Sequence, residues 1–187
     1  MKRISLSEPQ SMCVQPTFLI GTYDENGTAN FAPITWMSVT WSEADNFMLV
    51  ISMNGDKKTK QNLEKSSLLS ANLVSCDMLE MLDYYGLRTG LDGAKDARGY
   101  EVEAGLKLHV PTLAASRWVY ECEARKVITT GSTDTYFCPV KNVQVVDIGI
   151  DPEHVDLTLL DPVIYSGDYH SIGKHLGTIG DFEPPAV

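Results

Sequence analysis

The sequence predicts a mainly β protein with short helices, folded as a β-barrel with helical attachments. Three observations carry this. Short runs of β-branched, aromatic and aliphatic residues recur along the chain, bounded by turn residues. Arg117 to Ile128 alternates cleanly: Trp118, Tyr120, Cys122 and Ala124 face one way, Glu121, Glu123 and Arg125 the other, as in a half-buried antiparallel strand. Segments with helical spacing are few and short, so strands must supply most of the framework.

Thr17 to Tyr23 is the first strand, and Asp24-Glu25-Asn26-Gly27 is a hairpin turn in which Asn-Gly supplies positive φ. The chain resumes at Thr28 and runs to Thr35. Pro33 removes a ladder hydrogen bond there, so this strand must end, bulge or lie at a sheet edge. Asn46 to Ser52 is the next strand, followed by a Gly-containing turn and a short helix from about Lys57 through Leu63. Leu68 to Val74 is a strand. Ser75 then reads as an N-cap, with Met78, Leu79 and Leu82 forming an apolar helical face. Gly90 to Gly105 is a polar, Gly-rich surface excursion, a kind of segment that often carries function. Beyond the alternating strand, Tyr136-Phe137 and Val143 to Val146 are further strands, and Tyr169 to Leu176 is a short C-terminal helix.

At 187 residues the chain is long enough to bury one sizeable core, and a single domain over 1–187 is expected. With 15 basic against 25 acidic residues and a net charge of −10, it lacks the broad basic surface that a nucleic-acid backbone requires. Met1 to Pro9 has no apolar core of the signal-peptide kind, and no run approaches the roughly 18 apolar residues of a membrane span. The four cysteines, Cys13, Cys76, Cys122 and Cys138, form no CxxC pair and none lies near a histidine. They read as reduced thiols in a cytoplasmic protein, with no zinc site.

Against this acidic background Lys57, Lys58 and Lys60 are crowded into four positions at the start of a helix. Lysines there oppose the helix dipole at a cost of roughly 0.3–1 kcal/mol each. A bound anion removes the conflict: free backbone N–H groups, the Thr59 hydroxyl and the lysines together make a phosphate cradle. The competing reading is a solvated basic helix end.

Asn30-Phe31-Ala32-Pro33-Ile34-Thr35-Trp36 mixes small, polar and aromatic residues around a proline. Such a loop can press backbone N–H and C=O groups against the edge of a flat ring, or simply form a barrel corner. Ser52-Met53-Asn54 offers a hydroxyl and an amide to a polyol or phosphate, or ordinary turn chemistry. His170 and His175 stand five apart and do not share a helical face as a metal pair would, and His109 and His154 are isolated, so structural or surface roles are expected of all four. Glu101 and Glu103 flank Val102 on one face, as a solvated acidic pair. No nucleophile elbow, Walker A or Rossmann glycine motif is present, and no catalytic acid, base or nucleophile is assigned.

These pieces, in this order, resemble the flavin reductase-like FMN-binding family, and within it the flavoredoxin-like branch. The segments that carry the resemblance are Leu19-Ile20-Gly21-Thr22, Asn30 to Trp36, Val50-Ile51-Ser52-Met53, and Lys58-Thr59 with Asn62. Leu69-Ser70-Ala71-Asn72-Leu73 is similar to the family's F-x-V-N-L strand, and Tyr120-Glu121-Cys122 to its short L-E-C run. Asp161-Pro162-Val163-Ile164-Tyr165 and Tyr169 to Gly173 resemble its closing elements.

The resemblance implies a split β-barrel that dimerises, with one FMN per subunit near the dimer interface. It implies that Asn30, Phe31, Ala32, Pro33, Thr35 and Trp36 lie against the isoalloxazine and ribityl. Ser52, Met53, Lys57, Lys58, Thr59 and Asn62 would lie around the ribityl phosphate. The implied function is electron transfer through FMN, either as an NAD(P)H:flavin oxidoreductase or as a flavoredoxin-like carrier serving a redox partner or a small-molecule acceptor. The alternative is a non-catalytic FMN-binding or flavin-storage protein. Two departures bear on the electron donor. Gly131-Ser132-Thr133-Asp134 stands where many family reductases have a Gly-Asp-His segment, and Thr89 to Asp96 replaces the family's G-R-D-x-D-K-F segment.

Overall fold

A computed structural model describes residues 5, 14–93, 95, 99–148, 151, 155–178 and 181. Most of Met1 to Pro9, with Cys13, His154, Ala94 and Asp96, lies outside them.

The chain opens with β1 (Gln15–Pro16), then β2 (Phe18–Tyr23) and β3 (Ala29–Ile34) as a hairpin. The turn between them is built as its sequence predicts. Gly27 has φ +78°, and the Asp24 carboxylate accepts from the backbone N–H groups of Asn26 and Thr28, both at 2.9 Å. A second hairpin joins β4 (Met37–Ser42) to β5 (Asn46–Asn54), and α1 (Lys58–Ser66) and β6 (Leu68–Leu73) follow. A short 3₁₀ turn, Cys76–Met78, leads into α2 (Leu79–Gly86). After the excursion come β7 (Val102–Ala104), β8 (Pro111–Leu113), β9 (Trp118–Glu123), β10 (Lys126–Thr130) and β11 (Thr133–Val145). The chain then runs through α3 (Leu157–Leu160), β12 (Ile164–Tyr165) and β13 (Tyr169–His170).

The main sheet has eight strands in the order β3-β2-β6-β9-β11-β5-β4, with β10 also paired to β11. It curves around one core but does not close, because β3 and β4 are both edges. Pro33 therefore sits on an edge strand, as its missing donor requires. β2 is buried on both faces: Phe18 and Ile20 enter the core inside the sheet, and Leu19 a second core beneath α2. That explains why this strand reads as a continuous apolar run rather than an alternation.

Several expectations are corrected. Met37–Ser42, to which the sequence assigned no element, is a strand, and its inward residues Val39 and Trp41 are exposed because no further strand lies beyond it. The alternating stretch 117–128 is two strands: the chain shifts at Ala124 and Arg125, where Ala124 N donates to Ser67 O and Arg125 N to Phe137 O. The segments at 136–137 and 143–146 fall mainly on one long strand, β11, which carries an irregularity between Val140 and Asn142. No helix forms at Tyr169 to Leu176. Gly167, at φ +85°, turns the chain so that Tyr169–His170 pairs with β12. Ser75 does stand at the start of its 3₁₀ turn, but its hydroxyl bonds the Asp77 carboxylate rather than a backbone N–H.

Glu121 is the largest reversal. The alternation places it on a solvent face, yet it is fully buried. The 105–110 loop folds over it, and its carboxylate accepts from the N–H groups of Leu106, Lys107 and Leu108 and from the side-chain amides of Asn142 and Gln144. Burial alone would raise its pKa. These donors outweigh burial and hold it below the ordinary value of 4.5. Glu101 and Glu103 are exposed, as expected.

Candidate functional site

The lysine-rich turn opens α1 with an unsatisfied end. Lys57 is the N-cap in extended conformation (φ −139°, ψ 138°), no side chain caps the first turn, and no acid stands in it. The first N–H groups of the helix therefore point outward without a side-chain partner. Facing them across a cleft of about 290 Å³ are the C-terminal end of α2 and the start of the excursion.

One wall of this cleft is made by Asn30, Ala32, Pro33, Met53, Lys58 and Thr59, with Lys57 at the rim. The structure thus brings together residues from β3, the end of β5 and the start of α1 that are separate in sequence. A second cleft of about 250 Å³ adjoins it, lined by Ile34, Thr35, Trp36, Ser52, Met53 and Lys57. Ile34, Met53 and Lys57 belong to both. Thr35 and Trp36 form the joint between the two edge strands, where Ser52 N donates to Trp36 O at 2.9 Å, and the Ser52 hydroxyl bonds that of Thr135 at 2.8 Å.

The remaining sequence candidates lie elsewhere. The Phe31 side chain is buried in the second core, 5.5 Å from the Tyr85 ring, and only its backbone carbonyl reaches toward the cleft. Asn62 is buried and donates to the Thr22 hydroxyl at 3.0 Å, tying α1 to β2. Lys60 turns away to the hairpin at 131: its Nζ lies 2.6 Å from Asp134 Oδ2 and also donates to Gly55 O and Ser132 O. Of the three clustered lysines, two face the cleft.

Thr59 is more than a surface helix start. It is buried, and its Oγ1 accepts from Asn30 Nδ2 at 3.0 Å. Accepting that bond leaves the hydroxyl proton available to a ligand in the cleft. Lys58 Nζ stands 3.7 Å from Asp24 Oδ2.

Of the opposite wall the sequence marks only the excursion from Gly90, without assigning any residue of it to the site. This wall comprises Tyr85, Gly86, Leu87, Arg88, Gly90 and Lys95. Arg88 lies 4.3 Å over the Tyr84 ring and donates to Tyr84 O, as a cation at a helix C-terminus should. Gly90 permits the close approach: a Cβ there would stand 2.3 Å from Asn30 Oδ1 and 3.0 Å from Lys58 Cβ. Lys95 Nζ donates to Phe31 O at 2.8 Å. Burial, reinforced by the charge of Lys57, lowers its pKa to about 8. Only the glycine spacing and the lone lysine within the excursion could have pointed to this wall.

Among the described residues no group of His, Cys, Asp and Glu is arranged to hold a metal ion. His109 stacks on Tyr23 at 4.7 Å, and His170 and His175 are exposed. Cys76, Cys122 and Cys138 are free thiols. No helix among the described residues is long and apolar enough to cross a membrane.

A family model described as a flavin reductase like domain matches residues 11–173. Comparison with curated protein sequences gives no match. Among solved structures, the flavoredoxin of Desulfovibrio vulgaris (Miyazaki F) is similar with a TM-score of 0.86 at 20% identity, covering 97% of this chain and 99% of that one. A flavoredoxin from Methanosarcina acetivorans gives a TM-score of 0.86 at 18% identity, covering 97% of both chains. An FMN-binding protein from Thermus thermophilus, with bound 1-cyclohex-2-enone, gives 0.75 at 20% identity over 95% of this chain and 97% of that one. All three share the fold, a mainly β architecture of split-barrel type.

Proposed function

The chain belongs to the flavin reductase-like domain family, and we propose that it is an FMN flavoprotein of the flavin reductase or flavoredoxin type that passes electrons through its bound FMN. The observation that carries the choice of FMN is the cleft itself. In a protein of net charge −10, Lys57, Lys58, Arg88 and Lys95 converge on one cleft beside an uncapped helix start. That chemistry suits a terminal phosphate dianion. Lys95 supplies the test of fit: a half-buried ammonium beside a second lysine is costly until an anion joins it.

Bound FMN would supply the redox chemistry of its ring. The work of the chain is to hold and orient it. Lys58, Thr59 and the first N–H groups of α1 take the phosphate. Ser52 and the Asn30 to Trp36 segment line the path from there into the adjoining cleft, where Thr35, Trp36 and Met53 would bound the ring and limit water. No side chain in either cleft is needed as a general acid or base, since hydride transfer to a flavin depends mainly on stacking and alignment.

NAD(P)H is the proposed electron donor, and a redox partner or small-molecule acceptor the recipient. One observation favours the carrier or storage reading instead. Asp134, at the end of the Gly131-Ser132-Thr133-Asp134 segment, is held by Lys60 and by the Thr129 hydroxyl, and no histidine stands there. A homodimer is proposed because Val39 and Trp41, on the inward face of edge strand β4, are 59% and 67% exposed and need cover. The free thiols suit a reducing, cytoplasmic compartment.

The test is an absorbance spectrum of the purified protein, followed by anaerobic titration with NADH and NADPH. Flavin bands that bleach on titration support the reductase. Bands that persist with NAD(P)H but bleach with dithionite support the carrier or storage protein. No flavin bands, with no binding of added FMN, overturns the flavin reading.

A further inference from the structure

The β10–β11 hairpin backs the candidate site without entering it. Among the described residues, none from β10 or β11 lines either cleft. The hairpin is nevertheless locked to the turn before α1. Gly55 N donates to Ser132 O at 3.0 Å, and the Ser132 hydroxyl donates to Asn54 Oδ1 at 2.6 Å. Lys60 Nζ ties Gly55 O, Ser132 O and Asp134 together. These bonds pin the register of β11 on β5, in which Thr135 stands directly opposite Ser52.

Side chains opposite each other in an antiparallel pair project on the same side of the sheet. The hydroxyls of Ser52 and Thr135 accordingly meet at 2.8 Å. Ser52 lines the cleft beside Trp36 and Met53, and Thr135 does not. Among the described residues Thr135 is the only hydrogen-bond partner of the Ser52 hydroxyl. The two side chains differ in freedom. Serine can choose among staggered rotamers, whereas threonine is β-branched and stiff at χ1. Thr135 is therefore the fixed member of the pair, and Ser52 settles on it.

One proton lies between the two oxygens. When Thr135 supplies it, the Ser52 proton is left for the cleft. The edge of a flavin is rich in acceptors: ring carbonyls, ring nitrogens and ribityl oxygens. A bound flavin therefore favours this direction of donation.

We propose that Thr135 is a positioning residue for the flavin: it donates to Ser52 Oγ and holds the Ser52 hydroxyl as a donor aimed into the cleft. The inference rests on the FMN reading above. It gives the β10–β11 hairpin a part in the site that its absence from the cleft walls conceals. The chain of donation from Thr135 through Ser52 to the ligand strengthens both bonds. A valine at 135 keeps the branched shape but supplies no proton, so the Ser52 hydroxyl loses its orientation.

The experiment is calorimetric titration of the flavin-stripped protein with FMN and with riboflavin. The proteins are wild type, Ser52→Ala, Thr135→Val, Thr135→Ser and the double variant Ser52→Ala with Thr135→Val. Thr135→Val should weaken both ligands alike, by roughly 3- to 10-fold, the range for one neutral hydrogen bond. The effect is shared because the two ligands differ only in the phosphate. Thr135→Ser should restore most of the affinity. On a Ser52→Ala background Thr135→Val should cost nothing more, since the group it positions is gone. Urea denaturation checks that each variant is folded, and Thr135→Ala completes the same cycle if the valine variant is not. An equal loss from Thr135→Val whether residue 52 is serine or alanine would mean that Thr135 acts through hairpin packing, and the inference is overturned. It is overturned too if Thr135→Val binds flavin as wild type does, or if Ser52→Ala leaves affinity intact. In each of those cases the flavin site itself stands. If wild type binds neither FMN nor riboflavin, the flavin reading fails and this inference falls with it.

Discussion

Asn30 on the edge strand β3 and Thr59 in the first turn of α1 are joined side chain to side chain, Asn30 Nδ2 donating to Thr59 Oγ1 at 3.0 Å inside the protein. The bond couples the wall of the cleft to the helix that would hold a phosphate, so the two neighbours Lys58 and Thr59 should respond differently to substitution.

Lys58→Ala should weaken FMN binding by roughly 1.5–3 kcal/mol, the range for a charge-assisted hydrogen bond, and leave riboflavin binding and folding stability nearly unchanged. Thr59→Val should weaken FMN binding and also destabilise the protein by about 1–3 kcal/mol, because the buried Asn30 amide loses its acceptor. Urea denaturation beside calorimetry separates the two effects. Equal loss of FMN and riboflavin affinity in Lys58→Ala would mean that the phosphate lies elsewhere.

Gly90→Ala tests the wall spacing. The added methyl would meet Asn30 Oδ1 at 2.3 Å, so the excursion must move away from α1. FMN affinity should drop about tenfold or more, with the far-UV circular dichroism spectrum unchanged. Unaltered affinity would show that the distance between the walls does not matter to the ligand.

Glu121→Ala should destabilise the protein by on the order of 3 kcal/mol, since five donors lose their common acceptor. Glu121→Gln should cost about 1–3 kcal/mol, because an amide must turn a donor toward donors. The folded-state pKa is lower than the unfolded one, so the carboxylate stabilises the fold at pH above the unfolded carboxylate range. That stability is lost as pH falls through the folded value. In denaturation curves taken from neutral pH down to pH ~3, the gap between wild type and Glu121→Gln should narrow on the acid side. A gap that stays constant would contradict this assignment.

Trp41→Asp places a charge on the uncovered inner face of β4. If a second copy covers that face, light scattering at micromolar concentration should change from a dimer for wild type to a monomer for the variant, since a buried unpaired charge opposes association. A monomeric wild type would refute the dimer outright.

Local chemistry carried much of the fold into the sequence. The Asp24 to Gly27 turn, the edge position of Pro33 and the strands on either side of α1 were all legible, because each follows from residues close together in the chain. What was illegible depends on distant partners. Met37–Ser42 is an alternating strand with its apolar side exposed, so its pattern did not stand out from a loop with aromatic residues. Glu121 looked solvated because nothing local to β9 announces that the 105–110 loop will cover it. The site divides the same way. The α1 wall was readable from three lysines out of place in an acidic chain, although Lys60 turned out to serve the hairpin at 131. The facing wall exists only because α2 and the excursion fold back over Asn30.

The strand order also governs how the protein is made. β5, which carries Met48, Leu49 and Ile51, gains its partner β4 at once, but its other neighbour is β11, and Tyr136 to Pro139 opposite it are synthesised 85 to 91 residues later. During translation the apolar flank of β5 therefore remains an open ribbon for several seconds, at roughly 5–20 residues per second. Long-range pairing of this kind is slow to form, and an unpaired strand edge is a template for association. The walls of the cleft are encoded before residue 96, but β5, whose Met53 lines them, pairs with β11 only late, so a nascent chain should gain ligand affinity late and depend on chaperones until then.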